Sequence, residues 1–335
     1  MQSAGTWLHP RPEGLYCEPG KFYIDPHLPV DRAIVTHGHS DHARAGHGHV
    51  LATPETLAIM AVRLGVSHAG ATQAIRYGEP IKIGDVSVSL APAGHVLGSA
   101  QVVLTYAGCR VVVSGDYKRT ADPTCAPFDV QKCDVFVTEA TFGLPVFRHE
   151  PPDAEIGRLV HSMERSPERT HMVGVYGLGK CQRVLSLVRR FGYDKPIYLH
   201  GAMQGVTNLY RSFGYDFGDL RSATDADAKE LGGALVFCPP SAVADRWARR
   251  FRDPVRAVAS GWMRIRARAR QRGADLPLVI SDHADWPELL QTIEDTGAEE
   301  IWVTHGREDA LIHQIGMMGR RGRALAMIGF EDEAE

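Results

Sequence analysis

The segment His37-Gly38-His39-Ser40-Asp41-His42 puts four metal-ligand side chains into six residues, and it constrains this chain more than any other stretch. Three imidazoles and a carboxylate cannot face an apolar core without leaving costly unpaired polar groups. In an extended segment His37, His39 and Asp41 project to one side, because side chains alternate with period two, and a following turn brings His42 round. Six residues can hardly point four donors at a single ion without strain, so the pattern suits two metals better than one. Imidazole and carboxylate donors without cysteine suit Zn²⁺, Mn²⁺ or Fe in a catalytic site rather than a structural one. The plain alternative is a chance histidine-rich loop.

The rest of the composition narrows the class. A chain of 335 residues can bury a substantial core in one large domain or two ordinary ones. No apolar run has the length to span a bilayer, and the first residues lack a signal-peptide core, so no membrane role is expected. The six cysteines are scattered, with no C-x-x-C pair, which reads as reduced and cytoplasmic rather than as a disulfide frame. Charge is uneven along the chain. Arg246 to Arg272 contains ten arginines, no lysine and one acid, a net of +9 in a protein of −3, so the remainder carries −12. Such a stripe is expected where one face meets a polyanion, although a solvated arginine-rich face has the same composition.

Short β-branched runs alternate with helical stretches. Strands are expected at 22–24, 33–36, 86–91, 101–106, 110–114, 134–138, 172–176, 196–199, 234–237, 278–281 and 301–304. Helices are expected at 54–64, 154–163, 180–191, 241–251 and 287–296. The strand-rich first part and the regular strand–helix alternation of the middle together predict an α/β sandwich carrying a second α/β module.

The hexapeptide resembles the H-x-H-x-D-H signature of the metallo-β-lactamase superfamily, and further motifs follow in that family's order. His95 in Ala93-Gly94-His95-Val96-Leu97-Gly98 resembles the third-motif histidine. Asp116 in Ser114-Gly115-Asp116-Tyr117 resembles the aspartate that bridges both metals. Glu139, His283 and His305 resemble motifs A, B and C of the nucleic-acid-processing branch called β-CASP. The resemblance implies an αββα sandwich with an inserted β-CASP α/β domain. Residues 1–145 and 263–335 would form the metallo-β-lactamase domain and 146–262 the insert. It further implies that His37, His39, His95 and Asp116 hold one ion and that Asp41, His42, Asp116 and His305 hold the other. Asp25 would orient a ligand histidine from behind. Catalysis would rest on Asp41, Asp116 and His283, the last as general acid oriented by Glu139. The other ten histidines match no motif; His47 and His49 form a second H-x-H but lie on what reads as the next strand.

Candidate substrate contacts come from weaker signals. Gly179-Lys180-Cys181-Gln182-Arg183 resembles the G-R-x-Q element that opens the first helix of β-CASP inserts, making Lys180 and Gln182 candidates at a helix N-terminus suited to phosphate. Ser260-Gly261-Trp262 resembles a Gly-Trp step of DNA-processing members, where Trp262 stacks on a base or packs in the core. Arg264, Arg266 and Arg268 share one face if their segment is extended and disperse around the axis if it is helical. The whole pattern is similar to the bacterial DNA-ligase-associated exonuclease group. It implies a two-metal DNA exonuclease of DNA repair, taken as 5′-to-3′, associated functionally with an ATP-dependent DNA ligase and a helicase. The histidine at motif C is usual in RNA-processing members, so RNA is the alternative substrate. A glyoxalase II-like small-molecule hydrolase shares the hexapeptide but lacks the insert and the arginines. A non-catalytic scaffold would have lost ligand positions that are all filled here.

Overall fold

The computed structural model describes residues 3–325; the last ten residues of the expected C-terminal segment lie outside the described part. The chain divides into two compact units, one containing the residues through Arg148 and those from His283 on, the other His149–Asp282.

The first unit is built on two sheets. Strands β1 (Leu8–Arg11), β2 (Gly14–Cys17), β3 (Phe22–Ile24), β4 (Arg32–Ile34), β5 (His47–Ala52) and β6 (Ala69–Ala74) pair in chain order. The second sheet runs β7 (Ile81–Ile83), β8 (Val86–Pro92), β9 (Ala100–Tyr106), β10 (Cys109–Val113), β11 (Val135–Ala140), β18 (Glu300–Gly306) and β19 (Arg321–Ala324). Alternation tells each strand which way to face. Val86, Val88 and Leu90 of β8 enter a core shared with Phe22, Ile24 and Ile34, so the two sheets pack face to face. Strand β11 is buried on both sides: Val135 and Val137 point between the sheets, whereas Phe136 and Ala140 meet the helices Trp286–Thr296 and Glu308–Met317 through Leu289, Ile293, Leu311 and Ile315. The helix Pro54–Leu64 covers the outer face of the first sheet through Met60, packed with Ala33, Val35 and Val50. This is the expected αββα sandwich.

The second unit is a wholly parallel sheet, ordered β14 (Leu220–Ser222), β13 (Ile197–Leu199), β15 (Leu235–Cys238), β12 (His171–Gly174), β16 (Val255–Ala259) and β17 (Leu276–Leu278). Crossover helices such as Lys180–Arg190 and Gly201–Ser212 connect its strands, as parallel pairing requires.

Four expectations need correction. Residues 263–282 belong to the second unit, because β17 pairs in parallel with β16. That strand ends at Leu278, three residues short of the expected end at 281. Residues 241–251 form two short 3₁₀ turns, Pro240–Val243 and Arg246–Arg250, instead of one helix. The arginine segment is helical over Arg266–Gln271, since alternating alanine and arginine are strong helix formers whatever their period-two pattern. Its guanidiniums therefore spread around the axis and do not line one face.

Arg189 is a hub of the second unit. Its guanidinium donates to the carbonyls of Phe217 (2.8 Å), Tyr193 (2.6 Å), Lys195 (2.6 Å) and Asp219 (2.8 Å), tying the turn after its own helix to the approach to β14. Only a planar five-donor group can serve four carbonyls at once. Arg189→Met should therefore destabilise the protein by about 2–4 kcal/mol, and Arg189→Lys should restore little of it. Hydrogen exchange should show the loss first across 217–222; unchanged protection there would contradict this role.

Candidate metal centre

Strands β4, β10, β11 and β18 each run into one of the motif segments at their carboxyl ends, and β10, β11 and β18 are parallel neighbours, so their ends lie on one edge. Glu139 shares the parity of Val135 and Val137 and so points toward the space between the sheets. His305 lies one residue out of step with Trp302 and Thr304. Its backbone takes φ 61°, a left-handed conformation that breaks the strand alternation and redirects the side chain. Gly115, at φ 56°, sits against Thr36 so closely that a β-carbon would stand 2.8 Å from Thr36 Cβ and Oγ1. The absent side chain is what lets the loop bearing Asp116 approach the segment that opens with His37. The loop bearing His95 is fixed twice over. Ser99 Oγ accepts from the backbone N–H of His95 and Val96, and the hydroxyls of Thr53 and Thr56 donate to Gly98 O.

The hexapeptide itself is not extended. Backbone bonds from His42 and Ala43 back to His39 O coil it into a turn, which sends His37 and His39 one way and His42 another. His37 Nε2 and His95 Nε2 approach His39 Nδ1 at 3.2 and 3.0 Å, and Asp116 Oδ2 lies 3.3 Å from His37 Nε2 and 3.8 Å from His95 Nε2. Across the carboxylate, His42 Nε2 is 3.4 Å from Asp116 Oδ2 and 3.3 Å from Asp41 Oδ2, while His305 Nδ1 is 3.7 Å from Asp116 Oδ1. Two groups able to hold a metal thus share Asp116: His37, His39 and His95 on one side, His42 and His305 on the other. Tetrahedral ligands about 2.0–2.1 Å from a metal stand about 3.3–3.4 Å from one another, so these separations and this donor set fit a divalent ion.

Neighbours decide which nitrogen each ring presents. Asp25 accepts from Thr36 N–H (2.7 Å) and Thr36 Oγ1 (2.6 Å), and lies 2.7 Å from His42 Nδ1. A carboxylate only accepts, so His42 carries its proton on Nδ1 and aims Nε2 inward. The Thr36 hydroxyl, having donated to Asp25, accepts at 3.0 Å from His37 Nδ1 and leaves Nε2 as that ring's lone-pair nitrogen. Charge follows the same design. Burial and the adjacent His42 push His37 down to about 4, leaving it neutral at neutral pH. Burial alone would raise Asp116, but His42, His283, His305 and His37 outweigh it and hold the carboxyl well below its usual range. Burial likewise opposes charge on His42, yet Asp41, Asp116 and Asp25 raise it well above the ordinary imidazole value, so this point draws positive charge.

His283 stands beside this cluster with Nδ1 3.0 Å from Glu139 Oε2 and 4.0 Å from Asp116 Oδ2. Glu139 is fully buried and held by the N–H of Tyr117 (2.8 Å) and the hydroxyl of Thr141. Thr36, Ser99, Tyr117 and Thr141 hold the candidate site residues in place by hydrogen bonds, and the motifs do not single them out. The only signal for Thr36 is its place just before His37, and Tyr117 acts through its backbone, which carries no signal.

The candidate substrate contacts fall in the second unit, and four of the six are occupied there. Lys180 is buried and paired with buried Asp282 at 3.2 Å. Gln182 is buried, accepts from Gly179 N–H (2.8 Å), and donates to Gly177 O and Thr207 Oγ1, so it shapes its helix start instead of meeting solvent. Trp262 is buried with the guanidinium of Arg268 3.8 Å above its ring, the core alternative for that residue. Arg264 and Arg266 remain exposed.

No family model matches the sequence. A protein named Probable DNA ligase from Opitutus terrae is 29% identical over 303 residues, taking in 88% of this chain and 28% of that one. Cleavage and polyadenylation specificity factor subunit 3 of Dictyostelium discoideum is 27% identical over 58% of this chain and 29% of its own length. Endoribonuclease YSH1 of Gibberella zeae is 29% identical over 57% and 27%. The chain therefore spans under a third of the length of these relatives. Among solved structures, a protein of unknown function from Enterococcus faecalis V583 matches in fold, with a TM-score of 0.54 and 12% identity over 83% of this chain and 76% of that one. Fold, donor cluster and relatives agree: at the level of family, the chain resembles the β-CASP nucleases of the metallo-β-lactamase fold.

Proposed function

We propose that the protein is a two-metal phosphodiesterase that degrades DNA as an exonuclease, 5′-to-3′, in DNA repair. The observation that carries the phosphodiesterase reading is Asp116, a buried carboxylate shared by two groups of imidazoles with His283 at their side. His37, His39, His95 and Asp116 would hold one ion, and Asp41, His42, Asp116 and His305 the other. By donor type the ions are zinc or manganese. When bound, they supply Lewis acidity toward a phosphoryl oxygen and an activated water for in-line attack. The chain's own residues supply the rest. Asp25 and Thr36 set the tautomers of His42 and His37. Glu139 accepts the Nδ1 proton of His283 and so steadies the ring when it is cationic. His283 then delivers its Nε2 proton to the departing sugar oxygen.

DNA is favoured because the relative matching 88% of the chain is named a DNA ligase. The alignment takes 28% of that relative, leaving room in the same polypeptide for the activity its name states, which supports association with a ligase; the family resemblance adds a helicase, and the setting we propose is DNA repair in the cytoplasm. RNA is the second reading, favoured by the endoribonuclease name of a relative matching 57% of the chain. Among the described residues no helix is long and apolar enough to cross a membrane. Of the three candidate arginines, Arg264 and Arg266 are exposed, as contact with phosphates requires.

End-labelled single- and double-stranded DNA and RNA, incubated with Mn²⁺ or Zn²⁺ and sized over time, test the substrate. DNA shortened stepwise from its 5′ end is expected. Internal cuts confined to RNA would select the endoribonuclease reading, and no cleavage of any polymer would remove both.

His283→Ala should keep its metals and lose about 10²–10⁴-fold in rate on an oligonucleotide, the usual contribution of a general acid. A nitrophenyl phosphodiester, whose leaving group needs no proton, should recover most of that loss. Equal damage on both substrates, or loss of metal, would take the acid role away from His283.

A further inference from the structure

We infer that the largely buried ion pair between Lys118 and Glu288 is a positioning device that fixes His283 relative to Asp116, a role that rests on the acid assignment above. The loop that follows Asp116 is grasped at every residue. Tyr117 N–H donates to Glu139, and Tyr117 O accepts from the N–H of Ala284, the residue after His283, at 2.6 Å. Lys118 Nζ reaches Glu288 Oε2 at 2.7 Å, and the N–H and hydroxyl of Thr120 both reach Glu288 Oε1 at 2.7 Å. Arg119 adds a bond to Asp295 at 2.7 Å and one to Thr292 at 3.3 Å.

Glu288 stands at the third position of the helix Trp286–Thr296, whose cap is Asp285, two residues beyond His283. Glu288 N–H donates to Asp285 Oδ1 at 3.1 Å, and Glu288 Oε2 accepts from Asp285 N–H at 3.3 Å. The path is therefore short at both ends: two residues from Asp116 to Lys118, and a capping box plus two residues from Glu288 to His283. Burial opposes the charge on Glu288, but Lys118 and Thr120 outweigh it and keep the carboxyl below its usual range, so Glu288 stays ionised at neutral pH.

Such a pair needs a reason beyond stability. The Lys118 side chain is 5% exposed and that of Glu288 16%, and taking both charges out of water offsets most of their attraction. Well-packed apolar residues would hold loop and helix together about as firmly. What they would lack is a fixed direction and length, which proton delivery to a single oxygen requires.

Holoenzyme carrying Lys118→Met, Glu288→Gln, both together, or His283→Ala is compared with wild type on an oligonucleotide and on a nitrophenyl phosphodiester, with metal content measured. Positioning predicts that kcat on the oligonucleotide falls about tenfold to a hundredfold in both single variants, the scale expected of a small misplacement. KM, metal content and nitrophenyl turnover should stay at wild-type values. The double variant leaves no buried charge unpaired, so it should fold normally and still show the selective defect. Equal losses on both substrates, or full recovery in the double variant, would overturn the inference and leave a merely structural latch. Selectivity in His283→Ala without selectivity in the pair variants rejects the pair alone, whereas no selectivity in His283→Ala rejects the acid assignment and the pair with it.

Discussion

The Asp116 carboxylate is the point on which the arrangement turns. It stands within 4 Å of nitrogens from five histidines, His37, His42, His95, His283 and His305, drawn from four separate stretches of chain. Five buried or half-buried rings around one anion do not arise from local preference. Each must be brought by its own strand end or loop, and each forfeits solvation that only a strong charge partner can offset. Removing the carboxylate would leave the positive charge drawn to His42 without one of its partners and the facing ring nitrogens without their shared acceptor, so the cluster is a consequence of Asp116 as much as its surroundings.

The sandwich serves that convergence. Parallel pairing of β10, β11 and β18 sets their carboxyl ends side by side, and strand alternation sends Glu139 toward the space between the sheets. Where alternation would fail, the backbone departs from it: Asp25 at φ 45° and His305 at φ 61° both sit in the left-handed region, which costs a non-glycine residue of order 1–3 kcal/mol. Their side chains repay that strain at the site, Asp25 by orienting His42 and His305 by closing the second group of donors.

How much of this is legible in the sequence depends on range. The hexapeptide is dense enough to announce ligands by itself, and strands such as β8, with Val86, Val88 and Leu90 facing in, follow from alternation alone. The helix Pro54–Leu64 matches its expected bounds because Thr53, Pro54 and Gly65 mark both ends. Other features have no local signature. Lys118 and Glu288 are 170 residues apart, and although Asp285 and Glu288 have the spacing of a capping box, nothing local joins Glu288 to Lys118. Lys180 looks like a phosphate contact until its helix is packed against Asp282, and alternating arginines look like a charged face until the segment coils. Periodicity and composition report what a residue is fit for; tertiary packing decides whether it is already occupied.

We propose that Asp116 is shared between two metal ions. Anomalous diffraction from crystals grown with Zn²⁺ or Mn²⁺, recorded on either side of the metal's absorption edge, tests it most directly. Two peaks about 3.5–4 Å apart are expected. One should lie among His37, His39 and His95 and the other among Asp41, His42 and His305, with a carboxylate oxygen of Asp116 reaching each. A single peak in catalytically active protein, or a second peak away from Asp116, would contradict it.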